Sequence, residues 1–230
     1  MIRFDDVHKS FGDVKVLDGI TFEVAEGEIL AIVGPSGTGK SVTLKHIVGL
    51  LEPDSGTVTV KEGARIGYLF QSGALLAWLT VRENIALPLR ETTKLSDEEI
   101  NRYVDEALKA VGLEEAADKY PAEISGGMVK RAGLARAIVR KSDAVLYDEP
   151  TSGLDPVTAR NIHRLIRSLN RARGLTSVVV THDLAGACSF ADRILMIKDG
   201  RAILSAKPEE FMACDIPEVR DLVSASKGEI

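Results

Sequence analysis

Apolar positions along the chain follow two rhythms: short unbroken runs, and stripes that recur every three or four residues. Ile29-Leu30-Ala31-Ile32-Val33 is an unbroken run, which suits a strand buried on both faces. After it Leu44, Ile47, Val48 and Leu51 fall at helical spacing. Before it Ile2–Val7 and Ile20–Val24 read as short strands joined through the turn Phe11-Gly12-Asp13. Thr57–Val60 and Ile66–Phe70 read as a β-pair, with Glu62-Gly63 as the hairpin signal. From about Ser72 to Arg140 the pattern turns helical. Ser96-Asp97-Glu98-Glu99 is a capping box there, and the stripe Ile100, Tyr103, Val104, Ala107, Leu108 and Val111 stops at Gly112. Strands return at Ala144–Tyr147 and Ser177–Thr181. Between them Asp155 and Pro156 open a helix with the stripe Ile162, Leu165, Ile166 and Leu169, ended by Gly174. Alternating strands and helices predict an α/β fold with a mostly parallel core sheet wrapped by helices. The expected organisation is one domain over 1–230, with an inserted helical lobe at about 72–140 and a polar tail at about 207–230.

Composition narrows the partners. With 230 residues, 45% of them apolar, the chain can bury the core of one large α/β domain. A net charge of −5 argues against a general grip on nucleic acid. Lys130, Arg131, Arg136, Arg140 and Lys141 accordingly read as a solvated helix face. Cys188 and Cys214 have no metal-ligand spacing, Cys188 lies on an apolar helical stripe, and the chain suits a reducing compartment. There is no apolar run of about 18 residues and no signal core, so the expectation is a cytoplasmic protein unless a partner holds it at a membrane. His8, His46 and His163 lack partner ligands and read as surface or helix-face residues. Trp78 either packs in the helical lobe or faces a partner.

Three stretches carry chemistry. Gly34-Pro35-Ser36-Gly37-Thr38-Gly39-Lys40-Ser41 fits G-x-x-x-x-G-K-[ST], between a strand and a helix as a phosphate-binding loop requires. Its glycines let successive N–H groups point inward, Lys40 brings charge to the β- and γ-phosphates, and the Ser41 hydroxyl suits Mg²⁺. Asp148-Glu149 ends a buried strand, where open α/β sheets bind ligands. There Asp148 suits a place near Mg²⁺, and Glu149 can polarise a water for attack on phosphorus. Ser125-Gly126-Gly127 opens a helix and makes a second anion site, which in a chain with one phosphate loop suggests a second subunit.

In this order the motifs resemble the nucleotide-binding subunits of ATP-binding cassette (ABC) transporters over essentially the whole length. The resemblance implies a P-loop NTPase fold of ABC type, with a small antiparallel β lobe and an inserted helical lobe, working on ATP with Mg²⁺. Gly34–Ser41 resembles the Walker A loop, with Thr43 counted among its nucleotide contacts, and Ala144–Asp148 resembles the Walker B strand with Glu149 as catalytic base. Phe70-Gln71 resembles the Q-loop, which adds Gln71 to Ser41 and Asp148 as metal ligands. Ser152-Gly153-Leu154-Asp155 resembles the D-loop, with Asp155 counted among the nucleotide contacts, His182 resembles the switch histidine at the γ-phosphate, and Phe11 the aromatic that stacks on adenine. Ser125-Gly126-Gly127-Met128 resembles the family signature, with Ile124 for the usual Leu and Met128 for Gln. The family pairs two copies head to tail, each ATP lying between one Walker A loop and the other copy's signature, and docks on integral-membrane permeases at the cytoplasmic face of the inner membrane. Leu69–Leu75, Ala86–Glu91 and Met128 are similar to the phospholipid-transport ATPases that work with MCE-domain proteins. An importer ATPase for amino acids or another small solute shares every catalytic motif, and a division-type ATPase is a non-transport alternative.

Overall fold

The computed structural model describes residues 1–227. Buried Ile2, Phe4 and Val7 alternate with polar neighbours in β1 (Ile2–Phe11), which turns at Gly12 into β2 (Val14–Val24). The unbroken apolar run is β3 (Ile29–Val33), buried throughout, and the loop after it enters α1 (Lys40–Ile47). β4 (Ser55–Val60) and β5 (Ile66–Leu69) precede three helices, α2 (Val81–Thr92), α3 (Asp97–Val111) and α4 (Gly126–Ile138). β6 (Ala144–Asp148), α5 (Pro156–Arg173), β7 (Thr176–Val180) and α6 (Leu184–Phe190) follow. The described chain closes with β8 (Arg193–Lys198), β9 (Arg201–Ala206), α7 (Pro208–Met212) and α8 (Pro217–Lys227). Two compact units result: Met1–Ala64 with the chain from Thr176 onward, and Arg65–Leu175.

In the first unit β3 has parallel neighbours on both sides, β7 (Ile29↔Ser177) and β8 (Leu30↔Arg193), and β9 runs antiparallel to β8. Two-sided burial explains the absence of alternation in β3. A separate antiparallel sheet has the order β2-β1-β4. The expected hairpin over 57–70 does not form. β4 pairs antiparallel with β1 (Phe4↔Val58), and β5 pairs parallel with β6 (Ile66↔Ala144). The expected tail at 207–230 is also corrected, its last three residues lying outside the described ones. Phe211, Val219 and Val223 are buried in one cluster with Ala31, Val33, Leu184, Ile194 and Met196, so α7 and α8 cover the sheet. Both cysteines are free and pack partly buried against that cluster.

In the second unit the reciprocal capping box of Ser96 and Glu99 starts α3, and Gly112 in the left-handed region ends it. A matching box of Thr80 and Glu83 starts α2. Asn84 is fully buried and knits the preceding turn: its Oδ1 accepts from Leu76 N at 2.7 Å, and its Nδ2 donates to the carbonyls of Leu76, Leu79 and Thr80 at 3.0–3.1 Å. Trp78 projects from that turn, 73% exposed. Of the residues expected to form a solvated basic face, Arg140 and Lys141 are exposed, but the three on α4 are held by the fold. Lys130 is buried, Arg131 donates to the carbonyls of Val111 and Gly112, and Arg136 donates to those of Gly73 and Ala74. His46 and His163 are buried as well, while His8 lies against Asp6 and Asp18. No helix among the described residues is long and apolar enough to cross a membrane.

Two stability predictions follow from these contacts. Arg201 Nη2 lies 2.7 Å from Asp18 Oδ2, and with Lys15 this lowers the Asp18 carboxyl from 3.8 to about 2. A carboxyl depressed in the folded state stabilises above its unfolded pKa and stops doing so as pH falls through its folded one. Asp18→Asn is therefore expected to lower the urea midpoint at pH 7, with the gap to wild type closing between pH 3.8 and about 2. A gap independent of pH would exclude the ion pair as its source. At the contact of β5 with α4, a Cβ on Gly67 would sit 2.1 Å from the Ala137 carbonyl oxygen. Gly67→Ala should cost about 1–3 kcal/mol by overpacking, read from urea unfolding.

Candidate functional site

The loop after β3 is set by close backbone approach. Gly34 has φ 147°, and a Cβ there would lie 2.1 Å from the Ile197 carbonyl oxygen, so both the conformation and the space require glycine. Gly39 caps α1 at φ 92°, with a would-be Cβ 2.9 Å from Val16 O. Pro35, Ser36 and Gly37 form the exposed rim, while Lys40 is buried beneath it. Lys40 Nζ donates to the carbonyls of Gly34 at 2.8 Å and Pro35 at 2.7 Å, and Thr38 Oγ1 donates to Pro35 O at 2.9 Å. The ammonium thus spans the ring of the loop, with a helix N-terminus behind it and Ser41 on the first turn. This is the donor-rich concavity that an oligophosphate fits. Thr43, expected among the nucleotide contacts, is fully buried and gives its hydroxyl to Gly39 O at 3.1 Å, which ties the first turn of α1 to the loop. Phe11 is half exposed at the end of β1, with Lys9 Nζ 5.7 Å from its ring centre. His182 is exposed two residues past β7, and the next residue, Asp183, caps α6 through Gly186 N.

The second unit carries the other residues. Asp148 ends β6 and accepts from the Tyr68 hydroxyl at 3.2 Å. Burial, and then the nearby Asp148 charge, push the Tyr68 phenol well above its usual range. Glu149 has φ 48°, a left-handed conformation uncommon outside glycine. Its carbonyl accepts from Lys130 Nζ at 3.1 Å, from Ser152 Oγ at 3.1 Å and from Ser152 N at 3.2 Å. Lys130 Nζ also donates to Gln71 O and to Ser152 Oγ, the latter at 3.3 Å. Burial pulls its ammonium below the usual lysine range, against the raising influence of Glu149 and then Asp148. Gln71 is exposed just past β5.

Ser125 caps α4, its Oγ accepting from Met128 N at 3.3 Å, so residue 128 enters the cap through its backbone. Gly126 is exposed, while Gly127 is buried with a would-be Cβ 2.6 Å from Thr158 Cγ2. Asp155 caps α5, its carboxylate accepting from Val157 N at 2.9 Å and Thr158 N at 3.0 Å. Bonds from Thr158 foremost hold that carboxyl below its usual range. The Asp155 carboxylate thus starts that helix.

Sequence reasoning missed Lys130 and Tyr68. Lys130 had a signal, because Gly127, Lys130, Leu134 and Ile138 share one helical spacing and all four are buried. A lysine on such a stripe needs buried acceptors. Tyr68 on a short strand carries no such mark. Among the described residues no cluster of three or more His, Cys, Asp or Glu could hold a metal ion. Of the groups expected at Mg²⁺, the first unit carries the Ser41 hydroxyl and the second the Gln71 amide and the Asp148 carboxylate, all hard oxygen donors of the kind that Mg²⁺ takes.

The chain is similar to known proteins over most of its length. The ABC transporter family profile matches residues 17–152. The intermembrane phospholipid transport system ATP-binding protein MlaF of Haemophilus influenzae is 39% identical, over 95% of this chain and 89% of its own. The "Probable ribonucleotide transport ATP-binding protein mkl" of Mycobacterium leprae is 39% identical, over 98% of this chain and 69% of its own. Among solved structures, the dimeric post-hydrolysis state of the ATP-binding cassette MJ0796 bound to ADP and Pi has a TM-score of 0.82. It is 34% identical and covers 90% of this chain and 99% of that one. The cbiO1 structure from Clostridium perfringens, part of an ABC transporter complex, has a TM-score of 0.85 at 30% identity, over 97% of this chain and 94% of that one. With its phosphate loop and strand-end carboxylates inside a profile match longer than half its length, the chain belongs to the ABC transporter family.

Proposed function

We propose that this ABC-family ATPase energises phospholipid movement as a homodimer docked on an integral-membrane permease, together with an MCE-type lipid-binding protein, at the cytoplasmic face of the inner membrane. The observation that carries the cargo is the 39% identity over 95% of the chain with a protein named for intermembrane phospholipid transport. A ribonucleotide cargo is the second reading, favoured by the equally similar mkl protein. Docking is supported by a cleft of about 360 Å³ lined by Tyr68, Phe70, Ala74, Leu87, Pro88 and Arg136 beside Gln71, and by exposed Trp78.

Each site residue has one part in the reaction. The backbone of Gly34–Ser41 receives the β- and γ-phosphates, Lys40 is the counter-charge, and Phe11 stacks on adenine. Ser41, Gln71 and Asp148 would hold Mg²⁺, whose chemistry is to neutralise charge on the phosphate oxygens. Glu149 orients a water and takes its proton as the water oxygen bonds the γ-phosphorus and the bond to the ADP oxygen breaks. His182 steadies the γ-phosphate. Ser125, Gly126 and Gly127 of the second copy close over the nucleotide from the opposite side, and the Asp155 segment lies at that same interface.

Glu149→Gln should keep ATP affinity and lower the hydrolysis rate by roughly 10²–10⁴-fold, read by steady-state turnover and nucleotide titration. Lys40→Ala and Ser125→Arg should each abolish turnover alone. Mixed together they should recover activity, because one interface of the mixed dimer carries both defects and the other neither. No recovery at any ratio would argue against head-to-tail pairing. The cargo is tested by purifying the complex from native membranes. Phospholipid with a permease and an MCE-domain protein is expected. Recovery with a periplasmic solute-binding protein, or stimulation by ribonucleotides and not phospholipid, would overturn the lipid assignment.

A further inference from the structure

Two turns meet at one buried ammonium of α4. The Lys130 Nζ donates to the carbonyl of Gln71, to the carbonyl of Glu149 at 3.1 Å and to Ser152 Oγ at 3.3 Å. An ammonium has three protons, and here it has three acceptors, one from the turn at Gln71 and two from the turn that runs from Glu149 to Ser152. Ser152 in turn donates its hydroxyl to the Glu149 carbonyl at 3.1 Å, so the arrangement is a closed triangle. Its centre is the residue with φ 48°. A glutamate in that conformation persists where its surroundings fix it, and the donors on its own carbonyl are what fix it here.

We propose that Lys130 is a positioning residue for ATP hydrolysis, holding the backbone of Gln71, Glu149 and Ser152 together so that the Glu149 carboxylate keeps its aim at the attacking water. The inference rests on Glu149 being the group that orients that water. Lys130 itself touches neither nucleotide nor water. It acts through the peptide on the carboxyl side of Glu149: when that carbonyl loses its charged donor, the residue relaxes toward negative φ and its side chain swings away. The same helix begins with Ser125-Gly126-Gly127, so Lys130 also ties the start of α4 to the turn that carries Glu149.

Lys130→Met keeps the length and the apolar stem and removes the donors, while Lys130→Arg keeps charge and donors. Both are compared with wild type and Glu149→Gln as purified full chains, by kcat, KM for ATP, affinity for a fluorescent ATP analogue and the unfolding midpoint. Lys130→Met is expected to lower kcat by about 10–100-fold, as loss of an orienting partner does, with KM and analogue affinity within about 3-fold of wild type. Lys130→Arg should regain part of the rate. A kcat for Lys130→Met within about 2-fold of wild type, while Glu149→Gln is inactive, overturns the role of Lys130 and leaves that of Glu149 intact. So does a loss that merely follows nucleotide affinity or the unfolding midpoint, or one in which Lys130→Arg fares no better than Lys130→Met. A wild-type rate in Glu149→Gln removes the premise and the proposal with it.

Discussion

Backbone carbonyls at tight turns, left outside helix and strand ladders, must find donors, and much of the chemistry-bearing architecture depends on how they do so. Four basic side chains supply them. Lys40 caps Gly34 and Pro35, Lys130 caps Gln71 and Glu149, Arg131 caps Val111 and Gly112, and Arg136 caps Gly73 and Ala74. A charged donor makes a stronger bond than a neutral one and, in a lysine or arginine, reaches several acceptors at once. Three of the four, Lys130, Arg131 and Arg136, are cations that a charge count assigns to solvent, and they are struts of the turns.

That constraint explains why the reactive groups sit on irregular backbone. Regular elements satisfy their own hydrogen bonds and leave little aimed outward. The segments after β3, β5 and β6 are different: each departs from a strand end, bends sharply and is held by side chains reaching in from a helix or from its own turn. Gly34, Gln71 and Glu149 occupy those three departures. Tyr68 adds a neutral donor to Asp148, which orients that carboxylate while leaving its negative charge available to a cation.

Legibility in the sequence followed the range of the interactions. The phosphate loop, the Ser96 capping box and the helix from Pro156 to Arg173 depend on neighbours within a few residues, and the sequence pattern placed them. The hairpin over 57–70 failed because Glu62-Gly63 between two alternating runs looks the same whether the runs pair with each other or with distant strands. Their partners, β1 and β6, lie far away in the chain. The closing segment read as a polar tail because Phe211, Val219 and Val223 are too widely spaced among charges to mark a core face until the sheet they cover is known. Lys130 was misassigned for a related reason. Its residue type signals solvent, and only its place on the buried stripe, together with carbonyls brought in from two remote turns, reverses that signal.

Asn84 has a consequence for how the chain meets other molecules. One buried amide makes four hydrogen bonds to the turn before α2, and Trp78 stands on that turn. The backbone beneath the indole is therefore ordered during folding, ahead of any encounter. A surface whose shape is set beforehand loses less conformational entropy when it is covered, so more of the free energy of burying an aromatic ring is kept as affinity. The exposed tryptophan is offered as a rigid key, cut before the lock arrives.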